Sequence, residues 1–106
     1  MKSQTVHWRM PNGLEFEWDP TKAQANLSKH KVPFPIACEA FKDGNRLELP
    51  DFSSEDDEER WIIQGRVGRA ILSVIFTQHG ERIRLISARR ADPNEKRVYW
   101  TGDTPA

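Results

Sequence analysis

The stretch RIRLISARRADPNEKRVYW, from Arg82 to Trp100, carries the residue types best suited to chemistry on a phosphate. It reads as a strand that leaves the core, ends in the adjacent arginines Arg89 and Arg90, and gives way to a capped helix. A guanidinium keeps its charge and donates two parallel hydrogen bonds, a fork that matches phosphate oxygens. Successive strand side chains point to opposite faces. A regular strand would therefore put Ile83, Leu85, Ser87 and Arg89 on one face and Arg84, Ile86, Ala88 and Arg90 on the other. Arg60, Arg66 and Arg69 come from the preceding segments and could join the same sheet. Such a concentration suits an RNA backbone, whose phosphates dominate nucleic-acid affinity. The competing reading is solubility, because arginine is common at strand ends.

Other residues carry weaker signals. His30 lies in LSKHKV at a helix end, between Lys29 and Lys31. An imidazole suits proton transfer; a cation at a helix C-terminus is also favoured by the helix dipole alone. Glu95 has the spacing of a capping box after Asp92, and Glu59 stands beside Arg60 at the end of an acidic loop. The single cysteine, Cys38, excludes an intramolecular disulfide and a thiolate zinc site, and reads as a small buried hydrophobe. The three histidines, His7, His30 and His79, are scattered, so neither a metal nor a cofactor is expected.

The elements that must position these residues are legible as pattern. TVHWRMPNGLEFEW reads as two extended pieces around Pro11-Asn12-Gly13, with Phe16 and Trp18 alternating against Glu15 and Glu17. Asp19-Pro20 opens a helix as N-cap and first residue, and Ala23, Leu27 and His30 form a narrow stripe. A second helix carries Phe34, Ala37, Cys38 and Phe41 and ends at Gly44. RLEL suggests a short strand. RWIIQGRV, AILSVIFTQ and RIRLISAR read as strands of a meander, with turns at Gly68 and at Gln78-His79-Gly80. Asp92-Pro93-Asn94-Glu95 opens the last helix. The sum is an α+β fold: a small antiparallel sheet with two N-terminal helices and one C-terminal helix.

At 106 residues the chain, 1–106, reads as one domain. Its formal net charge is zero, so bulk charge does not favour a nucleic-acid partner. The distribution is uneven. Glu48 to Glu59 holds seven acids and no base, whereas Arg60 to Val98 holds nine Lys/Arg against three acids. No apolar run approaches the roughly 20 residues that span a bilayer, and MKSQTVHWRM lacks the apolar core of a signal peptide. A cytoplasmic protein is expected.

Several of these residues together resemble the BrnT family. The block Trp18, Asp19, Lys22, Asn26, Lys29, His30, then Glu59-Arg60, then ISARRA from Ile86 to Ala91, occur in the family's order and spacing. The resemblance covers residues 15–99. It implies a type II toxin ribonuclease with a fold similar to RelE and ParE toxins, acting in bacterial cytoplasm and inhibiting translation. It also implies a BrnA-like antitoxin partner with a ribbon-helix-helix DNA-binding part, held in a hetero-oligomer. Carried over by position, Lys29 and His30, Glu59 and Arg60, Arg89 and Arg90, and Glu95 and Tyr99 are the matching site residues. Where the family usually has glycine after the Lys-His pair, this chain has Lys31.

The expectation is a metal-independent endoribonuclease. Its catalytic set is His30, Glu59, Arg60 and Arg89, and its substrate-binding set is Lys29, Arg90, Glu95 and Tyr99. Arg89 and Arg60 would stabilise phosphate charge, His30 or Glu59 would move protons, and Lys29 would contact the backbone. The alternative is a non-catalytic module of the same fold that holds an antitoxin or nucleic acid.

Overall fold

The computed structural model describes residues 4–53 and 58–102. Two short strands, β1 (Val6–Arg9) and β2 (Glu15–Trp18), precede the helices α1 (Pro20–His30) and α2 (Phe34–Glu39), and α2 runs into a 3₁₀ turn at Ala40–Lys42. The strands β3 (Leu47–Asp51), β4 (Arg60–Val67), β5 (Ala70–His79) and β6 (Arg82–Arg90) follow, and α3 (Pro93–Thr101) closes the order. The part of the acidic stretch at 54–57 lies outside the described residues.

The α+β class holds, but the expected small antiparallel sheet does not. The sheet has six strands in the order β1-β2-β6-β5-β4-β3, and β2 pairs with β6 in parallel. The helix arrangement also differs from a plain pair of N-terminal helices. Two strands come first, because their apolar residues pair with the sheet: Phe16 sits beside Ile83, and Trp8 beside Phe16. The second helix is only six residues long before it tightens into the 3₁₀ turn.

One face of the sheet is the main core. Cross-strand partners point to the same side, so Ile63, Val74, Ala88 and the Leu85–Phe76 pair line that face. Phe16 extends that face from β2, and Phe34, Ala37, Cys38 and Phe41 cover it. Phe41 meets both Phe16 and Phe76 edge-on, each at 5.1 Å between ring centres. Gly65 lets β4 press against the 3₁₀ turn: a β-carbon there would come within 2.5 Å of the Ala40 carbonyl oxygen. Burial pushes the Cys38 thiol up to about 12, which keeps it an inert core group.

The second face is covered at one end by α3. Its central strand register carries the largest departure from the alternation read in sequence. Ile75 pairs with Ser87 but Phe76 pairs with Leu85, so a β-bulge falls at Ile86. Beyond it the faces exchange. Ala88 and Arg90 lie on the core face with Val74 and Leu72, while Ser87 and Arg89 lie on the second face with Ile75 and Ser73.

α1 ends in the left-handed conformation at Lys31, with φ of 63°, and its N–H bonds to the Leu27 carbonyl. A β-carbon in this conformation is strained and glycine is not. Lys31→Gly is therefore expected to stabilise the chain by about 0.5–1 kcal/mol, less the lost bond from its Nζ to the Ser28 carbonyl. A higher urea midpoint at unchanged slope would show it; a lower midpoint would refute it.

Candidate active site at the end of the central strand

The end of β6 and the start of α3 hold one connected group. Asp92 caps α3 by accepting from the Glu95 N–H at 2.8 Å, and Glu95 reaches back to the Asp92 N–H at 2.9 Å. That capping box fixes the Glu95 carboxylate. Arg89 then grips it with two bonds, Nη1 to Oε1 at 2.6 Å and Nη2 to Oε2 at 3.0 Å. Gln64 Nε2, from the same row of the sheet, donates to Oε2 at 3.2 Å. The Ser73 hydroxyl also lies near this carboxylate. Burial works against ionisation of Glu95, but the Arg89 bonds and the Asp92 N–H outweigh it and hold the carboxyl below its ordinary range. The same pair raises the Arg89 guanidinium.

This geometry leaves part of Arg89 unused. A guanidinium has five N–H donors. Glu95 occupies the Nη1–Nη2 edge, and Nη1 also donates to the Arg90 carbonyl at 3.3 Å. The Nε–Nη2 edge has no partner among the described residues. An anchored arginine with one free fork is suited to a single phosphate.

The remaining expected residues do not all converge there. Arg90 is exposed at the strand end. His30 is half-buried as the last residue of α1, Lys29 is exposed, and neither side chain makes a hydrogen bond among the described residues. α1 is nevertheless tied to β6 next to Arg89. β2 stops at Trp18, so the outer edge of β6 has no strand beside Ala88. Asn26 takes that place: Nδ2 donates to the Ala88 carbonyl at 2.8 Å, and Oδ1 accepts from the Ala88 N–H at 3.0 Å. His30 follows Asn26 by one turn on the same side of the helix, a rise of about 6 Å.

Arg60 lies elsewhere on the second face, and Glu59 precedes it just outside β4. Arg60 precedes the Trp61–Phe76 pair, whereas Arg89 pairs with Ser73. At about 3.4 Å per residue and about 4.8 Å between strands, their backbones are roughly 16 Å apart. Arg60 faces Glu58 at 3.6 Å, and Glu59 is exposed with its carbonyl accepting from the Thr77 hydroxyl at 2.7 Å. Tyr99 is separate again. Its hydroxyl donates to Asp43, which also accepts from the Arg66 N–H at 2.8 Å, so it ties α3 to the turn before β3. Burial and the Asp43 carboxylate push the phenol up to about 12, so it stays protonated.

Two groups escaped the sequence reading. Glu17 was expected on an open strand face, yet it is buried, and its Oε2 accepts from Arg84 at 2.6 Å and His79 at 2.9 Å. Burial opposes its ionisation, but Arg84 and then His79 bring it below the usual carboxylate range. Only the parallel pairing of Glu17 with Arg84 reveals this cluster. Arg66, expected as an RNA cation, instead lies 5.7 Å over the exposed Trp100 ring. Among the described residues, no group of three or more His, Cys, Asp or Glu side chains is placed to hold a metal ion.

A family model described as "Ribonuclease toxin, BrnT, of type II toxin-antitoxin system" matches residues 18–95. That span contains every expected site residue except Tyr99. No curated protein matches the chain.

Proposed function

Because the chain belongs to the BrnT family, the ribonuclease toxins of type II toxin–antitoxin systems, we propose that it cleaves RNA without a metal ion, in the bacterial cytoplasm, and so inhibits translation. The free Nε–Nη2 fork of Arg89, held in place by Glu95, is the observation that carries this reading. A fixed cation aimed at developing charge contributes more to rate than one that must be ordered first.

The RNA supplies its own nucleophile. The 2′-oxygen attacks the adjacent phosphorus and loses its proton to His30 as the O2′–P bond forms. The P–O5′ bond breaks, and the departing 5′-oxygen takes a proton from solvent. The products are a 2′,3′-cyclic phosphate and a 5′-hydroxyl. Arg89 neutralises the phosphorane. Of the two proton-transfer candidates, His30 is supported by the Asn26 clasp, which joins its helix to the residue beside Arg89. Glu59 and Arg60, roughly 16 Å away by strand spacing, suit a neighbouring stretch of the strand, and Lys29 its backbone. Glu95 and Tyr99 act by position: one orients Arg89 and the other tethers α3.

The family implies an antitoxin partner and an RNA substrate. We assign the partner as a BrnA-like protein with a ribbon-helix-helix part, forming a hetero-oligomer. No helix among the described residues is long and apolar enough to cross a membrane.

The test is cleavage of RNA by the purified chain with and without EDTA. Activity is expected to survive chelation and to leave cyclic phosphate ends. Loss of cleavage in EDTA, restored by added Mg²⁺ or Zn²⁺, would overturn the mechanism.

A further inference from the structure

Around the far side of the same strand end lies an open pocket of about 320 Å³ lined by Val67, Arg69, Ala70, Ile71, Arg90 and Lys96. Three of its six lining residues are cations and none is an acid. They come from three elements: Arg69 from the turn between β4 and β5, Arg90 from the end of β6, and Lys96 from the first turns of α3. Their side chains make no hydrogen bond or ion pair among the described residues. The nearest acids in sequence are already engaged, since Asp92 caps α3 and Glu95 holds Arg89. Beneath it the Ala91 N–H bonds to the Ile71 carbonyl at 2.8 Å, which joins the end of β6 to the start of β5.

We infer that this pocket binds a phosphate of the RNA strand next to the one at Arg89. Like charges drawn together from three elements repel one another unless an anion lies between them. Alternation along β6 puts Arg90 on the opposite face from Arg89, and the bulge at Ile86 sets which face each takes, so the two arginines serve adjacent sites rather than one atom. Two arginine forks and an ammonium from three directions around a shallow apolar floor suit the tetrahedral oxygens of a phosphodiester better than a planar carboxylate side chain. The inference rests on the proposed function, and its test separates the two.

The experiment uses the full chain and its Arg69→Gln/Lys96→Gln variant. Both positions are exposed, so the fold is expected to survive. In the first arm, inorganic phosphate is titrated and followed by amide chemical shifts. Shifts confined to Arg69–Ile71, Arg90 and Lys96, and absent in the variant, support the anion site; no shifts there overturn it. In the second arm, RNA binding and cleavage are measured against salt. The variant should show a KM raised about tenfold with the loss falling on KM rather than kcat. Its log K against log salt slope should fall by about 0.7 for the lost phosphate contact. An unchanged slope and KM overturn the RNA assignment. So does a variant that keeps RNA affinity but loses affinity for the antitoxin, which would make the occupant an acidic protein segment. If the wild-type chain neither binds nor cuts RNA while phosphate still titrates the pocket, the proposed function fails and the anion site stands.

Discussion

Arg89→Ala is expected to cut RNA a hundred- to a thousand-fold more slowly than the wild type, the usual loss when a donor to developing charge is removed. Its stability should also fall, which the sequence alone did not suggest. An arginine at an exposed strand end would cost within about 0.5 kcal/mol when truncated. Here the side chain is 37% exposed, and the Glu95 carboxylate it holds is 16% exposed. Breaking a buried pair costs about 3–5 kcal/mol and an exposed pair about 0–1. Water reaches this one, and Glu95 keeps the Asp92 N–H and Gln64, so about 1–2 kcal/mol is expected. That leaves a folded domain, since such domains have about 5–15 kcal/mol in hand. Glu95→Gln separates the two effects. It weakens the clamp and should lose comparable stability, but it leaves the cation, so cleavage should fall by clearly less than in Arg89→Ala, the loss being the part that holding Arg89 in place contributes. Arg89→Lys keeps the charge without the fork and should fall between. A folded Arg89→Ala chain that cleaves at the wild-type rate would refute the phosphate role and move it to Arg60.

Asn26→Ala is expected to be the most destabilising exchange of a single polar side chain. Asn26 is buried, and its amide serves the Ala88 carbonyl, the Ala88 N–H and the Val32 carbonyl, the last at 3.1 Å. Alanine leaves these three backbone groups without partners. An unsatisfied buried group costs about 1–3 kcal/mol, so a loss of about 3 kcal/mol or more follows. The midpoint should drop by more than about 10 °C for a domain of this size. Asn26→Asp should do no better, because a carboxylate cannot donate to the two carbonyls. The clasp also fixes α1, which carries His30, against β6 at Ala88. Cleavage assayed well below the melting transition should therefore fall as well. A variant that melts within a few degrees of the wild type would show that water replaces the amide.

What the amino-acid order determined by itself is what depends on neighbours in the chain. Asp92, Pro93 and Glu95 cap α3 as their spacing requires, and Asp19-Pro20 opens α1. Gly68 and Gly80 adopt positive φ at the two hairpin turns. The apolar alternation of β5 survives as a strand with partners on both sides. The residues of the site were legible as types, and the Arg89–Arg90 pair does fall at a strand end. Tertiary structure alone decided what they face. One inserted residue at Ile86 reverses every later side chain, and a period of two carries no mark of where it slips. The parallel contact of β2 with β6 joins residues nearly seventy positions apart and buries Glu17 under Arg84. Asn26 reads as one more polar residue on a weak helix stripe. It becomes structural only because β2 stops short and leaves the Ala88 backbone open. The distance between Arg60 and Arg89 likewise depends on register across two strand pairs, which no local pattern encodes. Local propensity and capping act within a few residues, whereas these outcomes follow from which backbone groups are left unpaired once the sheet has assembled.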